Sequence, residues 1–470
     1  IEQSISQAFN TCISFMVNCD LQHYSGETGV TYFTQLFVVM LFQFLTAATG
    51  LAAFAGMLKA MSEKTTKTIG NFWFYLIRSF TRILLPLSMI LALLLIFNGT
   101  PMTLEGKQKL TTLEGTEQTI SQGPVAAIVA IKQLGTNGGG FFGANSSHPL
   151  ENPTYFTNTV ECTAILLIPM ALIWTLGFYL KRKRFAFCIF SVMLFAYLTT
   201  VIIAVHQETN GNPKIAALGI SQPSGNMEGK EVRLGSVATA WWAMSTTASS
   251  NGSVNGMHDS LTPLTGMLAM LNMQTNCWFG GVGVGFMNYY IFIIIAVFIS
   301  GLMVGRTPEF LGKKIEAREM KIATIIALLH PFIILTGTAI AAYLTANNSS
   351  LASQWLNNPS FHGLSEMLYE YTSSAANNGS GFEGLKDNTS FWNISTGIIM
   401  IFGRYLPIIG QIAIAGILAK KKYVPESAGT LKIDTATFSV MTFAVIFIIA
   451  ALSFFPSLTL GPISEFLTMK

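Results

Sequence analysis

The sequence predicts an all-α polytopic membrane protein, with four pseudo-symmetric helix–pore helix–filter loop–helix repeats around a central pore and an extra C-terminal span. Three observations predict this fold class. Hydrophobic residues make up 51% of the 470 and charged residues only 11%, whereas soluble proteins carry about 25% charged residues. Long apolar runs alternate with polar loops. Four loops of small residues recur at near-regular intervals, each after a short apolar segment and before a long one.

The apolar runs are candidate membrane spans, because a spanning helix needs about 20 apolar residues. They cover residues 31–58, 83–97 with an upstream extension over 72–80, 154–180, 185–205, 261–305, 322–344, 391–419 and 438–455. The run 261–305 is too long for one span, so we expect it to break at Gly280, Gly281, Gly283 and Gly285. Such a break would put a flexible segment beneath the third loop; a packing kink is the alternative.

The small-residue loops follow short segments at 1–17, 123–133, 235–247 and 362–371. Aligning Asp20, Gly138, Gly252 and Gly379 divides the chain into repeats at 1–70, 71–184, 185–321 and 322–436, with the extra helix in 437–470. The first repeat lacks its leading span. We therefore expect the natural protein to extend N-terminally beyond Ile1.

The loops have the composition of an ion filter. Glycine runs are poor helix and strand formers, and irregular backbone at membrane depth is tolerated only where it is buried or lines a water-filled cavity. Rings of backbone carbonyls can replace the hydration shell of a cation. We expect such carbonyls, rather than side chains, to bind the ion; ordinary loop polarity is the alternative. The candidate residues are Asn18, Cys19, Asp20, Thr136, Asn137, Gly138, Ser250, Asn251, Gly252, Asn377, Asn378 and Gly379.

The basic residues indicate the orientation. Most of the 27 lysines and arginines lie in the stretches 59–82, 181–184, 306–321 and 420–432, which follow the long spans. Positive residues are enriched on the cytoplasmic side of membrane proteins. This rule places those stretches in the cytoplasm and all four loops outside.

Three further residues are candidates for supporting roles. Gln22 and Asp259 follow the first and third loops and are candidates for an outer vestibule, where acidic groups attract cations; a plain loop residue and a helix cap are equal alternatives. Arg404 lies within the run 391–419, where a charge costs at least about 2.5–3.5 kcal/mol. It should face the pore and repel cations below the filter, unless it forms a structural ion pair or bonds loop carbonyls.

The sequence gives no sign of other chemistry. The five cysteines show no metal-type pairing and the six histidines share no ligand spacing. We therefore expect K⁺ to be the only metal ion bound, with no transition-metal site. An Asp-Lys-Thr-Gly phosphorylation motif and a Gly-Lys-Ser/Thr loop are both absent from the sequence. We therefore expect no organic cofactor and no use of ATP by this chain itself.

Six segments resemble the KdpA family, the potassium-binding subunits of bacterial Kdp transporters. They are Ser14–Glu27, Leu134–Phe142, Asn145–Thr154, Met257–Ser260, Gly312–Lys321 and Ser373–Asn378, and the resemblance runs from residue 1 to the C-terminus. Members of this family usually carry Asn where Asp20 stands here. The family belongs to a superfamily of potassium transporters with four pore repeats.

The resemblance implies K⁺ as the transported ion, selected on the extracellular side of the bacterial plasma (inner) membrane. It implies a KdpB-like P-type ATPase partner that hydrolyses ATP, and two small membrane subunits similar to KdpC and KdpF; no nucleic-acid partner is expected. A stand-alone K⁺ channel or an ion-gradient-driven transporter of the same superfamily is the alternative. The broken third-repeat span, the extra terminal span and Met257–Ser260 favour the pump.

Overall fold

Eight helices are long and apolar enough to cross a membrane in the computed structural model, which describes residues 2–303, 305, 307–425 and 430–469. Seven coincide with predicted apolar runs to within about five residues at either end, and the eighth covers only the second half of the run 261–305. The spans are α2 (Tyr32–Ser62), α3 (Phe72–Phe97), α5 (Tyr155–Tyr179), α6 (Lys183–Thr209), α9 (Val284–Met303), α10 (Ala317–Asn347), α12 (Ser390–Lys420) and α13 (Ala436–Leu458).

Four shorter helices precede the four small-residue loops, as the sequence predicts. They are α1 (Ile5–Met16), α4 (Val125–Leu134), α7 (Gly235–Ala248) and α11 (Phe361–Ala376); a further short helix, α8, is Pro263–Thr275. Three of the four pack between the helices that flank them in sequence: α4 against α3 and α5, α7 against α6 and α8, and α11 against α10 and α12. Helix α1 packs against α2 and α12, which brings the start of the chain beside the fourth loop.

The long apolar run in the third repeat is broken, which confirms that expectation. Helix α8 ends at Thr275, and Asn276 adopts a left-handed conformation (φ 48°). Helix α9 begins at Val284, so Gly285 lies inside the helix rather than in the break. At about 1.5 Å per residue, α8 is too short to cross a bilayer. The second half of the third repeat therefore consists of a short helix, a break and a helix of spanning length.

Small elements in the polar loops were not predicted. Strands β1 (Gln108–Thr111) and β2 (Glu117–Ile120) form an antiparallel hairpin in which Gln108 pairs with Ile120. Strands β3 (Glu309–Phe310) and β4 (Lys313–Lys314) pair in the basic stretch. The hairpin is mostly exposed and has no apolar face, so hydrophobic alternation, the main sequence signal for a strand, is missing.

Other short helices are Gly26–Gly29, Asn145–Ser147, Pro213–Ala217 and Ser349–Trp355. After α13 come a π-helical turn, Thr459–Ile463, and α14 (Ser464–Thr468). Cys162, Cys188 and Cys277 are buried. Helices α3 and α13 have the least buried apolar windows of the eight spans. Their outer faces expose large apolar side chains such as Trp73 and Leu452, as expected for surfaces that contact lipid.

Candidate ion filter

The four loops share one backbone conformation. In each, the first and third aligned residues are left-handed, with φ between 47° and 103°. Left-handed residues other than glycine are uncommon, so one at the first position of all four loops is not an accident of loop shape. The pairs are Asn18 and Asp20, Thr136 and Gly138, Ser250 and Gly252, and Asn377 and Gly379. This pattern recurs in the register in which the sequence aligns the loops, including the first.

Each loop begins in the same way at the end of its short helix. The N–H of the middle residue donates to the carbonyl five positions earlier, over 2.9–3.1 Å. These four bonds join Cys19 to Ser14, Asn137 to Lys132, Asn251 to Thr246 and Asn378 to Ser373. The C-terminal ends of all four short helices therefore lie at the loops. A helix carries partial negative charge at this end, which favours a nearby cation.

The loops close into a ring. A Cβ atom at Gly138 would contact the Asn251 carbonyl oxygen, and one at Gly252 would contact that of Asn378. A Cβ at Gly379 would contact the Cys19 carbonyl oxygen, which joins the fourth loop to the first. The first loop meets the second, because a Cβ at Gly139 would lie 2.8 Å from that of Asp20. Backbone thus packs against backbone around the ring, with no room for a side chain at the three glycines.

Asparagine side chains hold the ring from behind. The Nδ2 of Asn251 donates to the Lys132 carbonyl (3.0 Å), and that of Asn378 to the Thr246 carbonyl (2.8 Å). Each bond runs from a loop to the short helix of the preceding repeat. These amides are therefore engaged in packing, which agrees with backbone carbonyls, not side chains, as the candidate ligands.

The first loop is tied to the second by two residues that the sequence singles out. Asp20 Oδ2 accepts from Gln43 Nε2 (2.8 Å), which also donates to the Gly139 carbonyl (3.0 Å). Gln22 exchanges two bonds with Gly140: its Nε2 donates to the carbonyl (3.2 Å) and its Oε1 accepts from the N–H (2.9 Å). The Asp20 carboxylate thus enters a hydrogen-bond network, and Gln22 braces the second loop. Asp259 instead bonds His362 (2.9 Å).

A buried ion pair behind the second loop was missed. Lys132 is fully buried and pairs with buried Glu151. Its Nζ also donates to Asn145 Oδ1 (2.7 Å), and Asn145 Nδ2 donates to the Gly138 carbonyl (2.7 Å). The sequence counts Lys132 only as an outer-loop cation. A charge inside the apolar segment Val125–Leu134 was the signal that could have revealed this pair.

Arg404 lies directly beneath the ring. It is only 6% exposed and lines a cavity of about 70 Å³ together with Ser250, Asn377 and Gly281. A Cβ at Gly281 would lie 3.7 Å from Arg404 Nη1, from Ser250 Cβ and from Thr136 Oγ1. Over the described ranges, Arg404 has no ion-pair partner. The structural ion pair that was the alternative to a pore-facing arginine is therefore not seen there.

The break in the third repeat is attached to the ring. Val282 N–H donates to Thr136 Oγ1 (2.9 Å), and Gly280 N–H to the Ala248 carbonyl (2.9 Å). The segment that contains Gly280, Gly281 and Gly283 thus bonds the start of the second loop and the end of α7. A movement of this segment would therefore displace atoms of the second and third repeats at the ring.

A second buried network joins the first and fourth repeats. His23 Nε2 bonds Glu370 Oε1 (3.2 Å) and His23 Nδ1 bonds Asn393 Oδ1 (2.6 Å), with Asp387 Oδ2 3.9 Å away. Burial acts to lower the pKa of His23, but the charges of Asp387 and Glu370 and the hydrogen bonds to Glu370 and Asn393 outweigh it and raise the pKa to about 9. His23 is therefore charged at neutral pH.

We expect this network to make stability depend on alkaline pH. A raised folded-state pKa contributes stability that is complete below the unfolded value of about 6.5 and is lost as pH rises through about 9. The thermal midpoint of the purified complex should fall between pH 7 and 9.5, by the equivalent of about 1–3 kcal/mol. The variant His23→Gln should lower stability at pH 7 and flatten the profile. A slope unchanged in His23→Gln would contradict this assignment.

The eight spans found among the described residues, and the four alike loops that close one ring at the ends of short helices, define a pore-loop membrane protein. Residues 1–467 match the family described as KdpA, potassium-transporting ATPase A subunit, and the chain belongs to that family. The resemblance given by the sequence motifs is therefore confirmed.

The chain is similar to proteins called potassium-transporting ATPase potassium-binding subunit in several bacteria. It is 70% identical to that of Phocaeicola vulgatus, over 100% of this chain and 83% of the relative, and 51% identical to that of Geobacillus kaustophilus, over 98% and 81%. The crystal structure of the potassium transporter TrkH from Vibrio parahaemolyticus has the same fold. It superposes with a TM-score of 0.54 and 12% identity, over 87% of this chain and 78% of TrkH.

Proposed function

We propose that this chain selects K⁺ with backbone carbonyls of the four-loop ring and passes it across the membrane, as the non-catalytic subunit of an ATP-driven uptake complex. The relatives at 51–70% identity are named as potassium-binding subunits of such an ATPase, and the ATP-hydrolysing site belongs to another subunit. The single observation that carries the proposal is the ring, in which four loops repeat the same backbone alternation. The four repeats at 1–70, 71–184, 185–321 and 322–436 each supply one quarter of it.

The remaining parts of the proposal follow from the charges and the family. The four loops face outside, because most lysines and arginines lie in the stretches at the other ends of the spans. The complex lies in the bacterial plasma membrane and contains two small subunits besides the ATPase. Arg404 and the broken segment of the third repeat lie below the ring, where they would hinder direct passage to the cytoplasm and guide the ion toward the partner.

Ion binding and ATP use can be tested on the purified complex. We expect anomalous scattering from Tl⁺, a K⁺ mimic, to place density on the axis of the ring, and we expect K⁺ to stimulate ATP hydrolysis by the complex. The chain purified alone should hydrolyse no ATP. Tl⁺ density only outside the ring would refute the filter, and K⁺ flux through the isolated chain without ATP would favour the channel alternative.

A further inference from the structure

Three chemistry-bearing side chains converge outside the ring and are not used by it. Asp259 follows the third loop, and His362 and Glu366 lie one turn apart on α11, where residues four apart share a face. Each offers one ligand atom, and these atoms lie within 4.8 Å of one another. Asp259 and His362 are separated by about a hundred residues in sequence, which is why histidine spacing indicated no transition-metal site.

Glu366 is the buried member of this cluster. Its side chain is fully buried, and its Oε2 has no hydrogen-bond partner in the part of the chain that the structure describes. Its Oε1 accepts from Asn358 Nδ2 (3.0 Å), which also reaches Asp259 Oδ2 (3.2 Å). A buried carboxylate oxygen without a donor is unfavourable. A cation between Glu366 and Asp259 would satisfy it.

The His362 ring is oriented as a metal ligand would be. Its Nδ1 bonds Glu465 Oε1 on α14 (2.9 Å), and its Nε2 faces Asp259 Oδ1 (2.9 Å). A carboxylate that accepts from one ring nitrogen fixes the tautomer and leaves the other nitrogen to bind a metal, an arrangement common among metal-ligating histidines. In the absence of a metal, the same geometry serves an ion triad of one histidine and two acids.

The space between the carboxylates is kept open by a glycine. A Cβ atom at Gly384 would contact Glu366 Oε1 and lie 2.6 Å from Asp259 Oδ2. Gly384 does not have a positive φ, so its lack of a side chain is required by space and not by backbone conformation. A cavity of about 420 Å³, lined by Asp259, His362 and Glu383 among others, gives solvent access to the cluster.

We propose that Asp259, His362 and Glu366 bind a divalent transition metal ion, for which Zn²⁺ is the best match. Zinc accepts mixed imidazole and carboxylate ligands at about 2.0–2.2 Å, and sites with three protein ligands keep a fourth position for water. Mg²⁺ and Ca²⁺ prefer oxygen ligands alone. The three ligand atoms lie within 4.8 Å of one another, so small side-chain movements would bring them to these distances from one ion.

The bound ion would join three parts of the molecule. Asp259 belongs to the segment after the third loop, His362 and Glu366 to the helix that leads into the fourth, and Glu465 to the short helix after the last span. Zinc would thus tie the C-terminal segment to the outer ends of two quarters of the ring. This proposal is independent of how the ring itself selects ions.

The test measures zinc binding to the metal-stripped complex by isothermal titration with ZnCl₂ and by elemental analysis. We expect one saturable site that the variant Glu366→Gln lacks in an otherwise unchanged background. Gly384→Ala should block the site without altering a ligand, and both should weaken binding at least 100-fold. Glu465→Gln removes only the group that orients His362, so it should lower the affinity about 10–100-fold. Glu383→Gln removes an acid from the same cavity and should bind as the wild type does.

Potassium-stimulated ATP hydrolysis in zinc-free buffer shows that each variant is folded and assembled. Zinc X-ray absorption should report nitrogen and oxygen neighbours; a sulfur shell at about 2.3 Å would show binding at a cysteine and overturn the proposal. Absence of a site in the wild type would also overturn it. So would unchanged binding in both Glu366→Gln and Gly384→Ala, because the site would then lie elsewhere in the complex.

Discussion

Replacing Gly252 by serine is expected to lower the apparent K⁺ affinity of uptake at least tenfold and to reduce discrimination between K⁺ and Rb⁺. Gly252 has a φ of 87°, and a Cβ there would contact the Asn378 carbonyl oxygen. A left-handed backbone costs an L-residue about 1–2 kcal/mol, and at Gly252 this strain falls on the ring itself. The contact adds to this, because the neighbouring loop must move away and carry its carbonyl with it.

Gly235 provides a matched control in the same repeat. Its φ is 80°, but a Cβ there would meet no atom within 4 Å. Gly235→Ser therefore carries similar backbone strain at the start of α7 without touching the ring, and should leave K⁺ affinity and the Rb⁺/K⁺ ratio unchanged. Uptake assays over a range of K⁺ and Rb⁺ concentrations measure both. Wild-type affinity and discrimination in Gly252→Ser would show that the ring is not the filter.

Replacing Arg404 by methionine is expected to weaken coupling between transport and ATP hydrolysis, with selectivity unchanged. Arginine keeps its charge at any working pH, and this one lies below the ring without an ion-pair partner among the described residues. At an effective dielectric constant of about 20, two like unit charges about 8 Å apart repel each other by about 2 kcal/mol. Removing this barrier would raise direct leak of K⁺ by up to about thirtyfold.

Flux and ATP hydrolysis measured together in proteoliposomes check this prediction. Methionine keeps length and apolar packing, so Arg404→Met isolates the charge. Arg404→Lys keeps the charge but loses the planar fork and should retain most of the coupling. If Arg404→Met transports as many ions per ATP as the wild type, the arginine is structural. The barrier would then have to be sought in the segment Gly280–Gly285 beneath the ring.

The structural features that could be predicted from the sequence are those that depend on the composition of one continuous segment. The overlong run 261–305 had to break, and the structure ends α8 at Thr275. The register in which the sequence aligns the four small-residue loops is the same as the register of their left-handed residues in the structure. Both signals depend on neighbours in the chain, which a single sequence shows.

Features that depend on distant partners were not predictable. In the sequence, Lys132 is one of several lysines outside the four basic stretches. Only the folded structure shows that it contacts Glu151 and Asn145. Asp259 was predicted to line a vestibule from its position after the third loop. Nothing in the sequence shows that it contacts His362 on the short helix of the next repeat. Pairing across repeats is set by the closure of the whole ring, and no periodicity in one segment encodes it.

The ring's fourfold likeness is one of conformation and not of sequence. Its first left-handed position holds Asn18, Thr136, Ser250 and Asn377, and the middle position is asparagine in three loops and Cys19 in the first. In an assembly of four identical chains, one codon change strikes every quarter at once. Here each quarter has its own codons, so a single mutation alters only one quarter of the proposed filter. The side chains behind one loop can therefore change in evolution without any change in the other three loops.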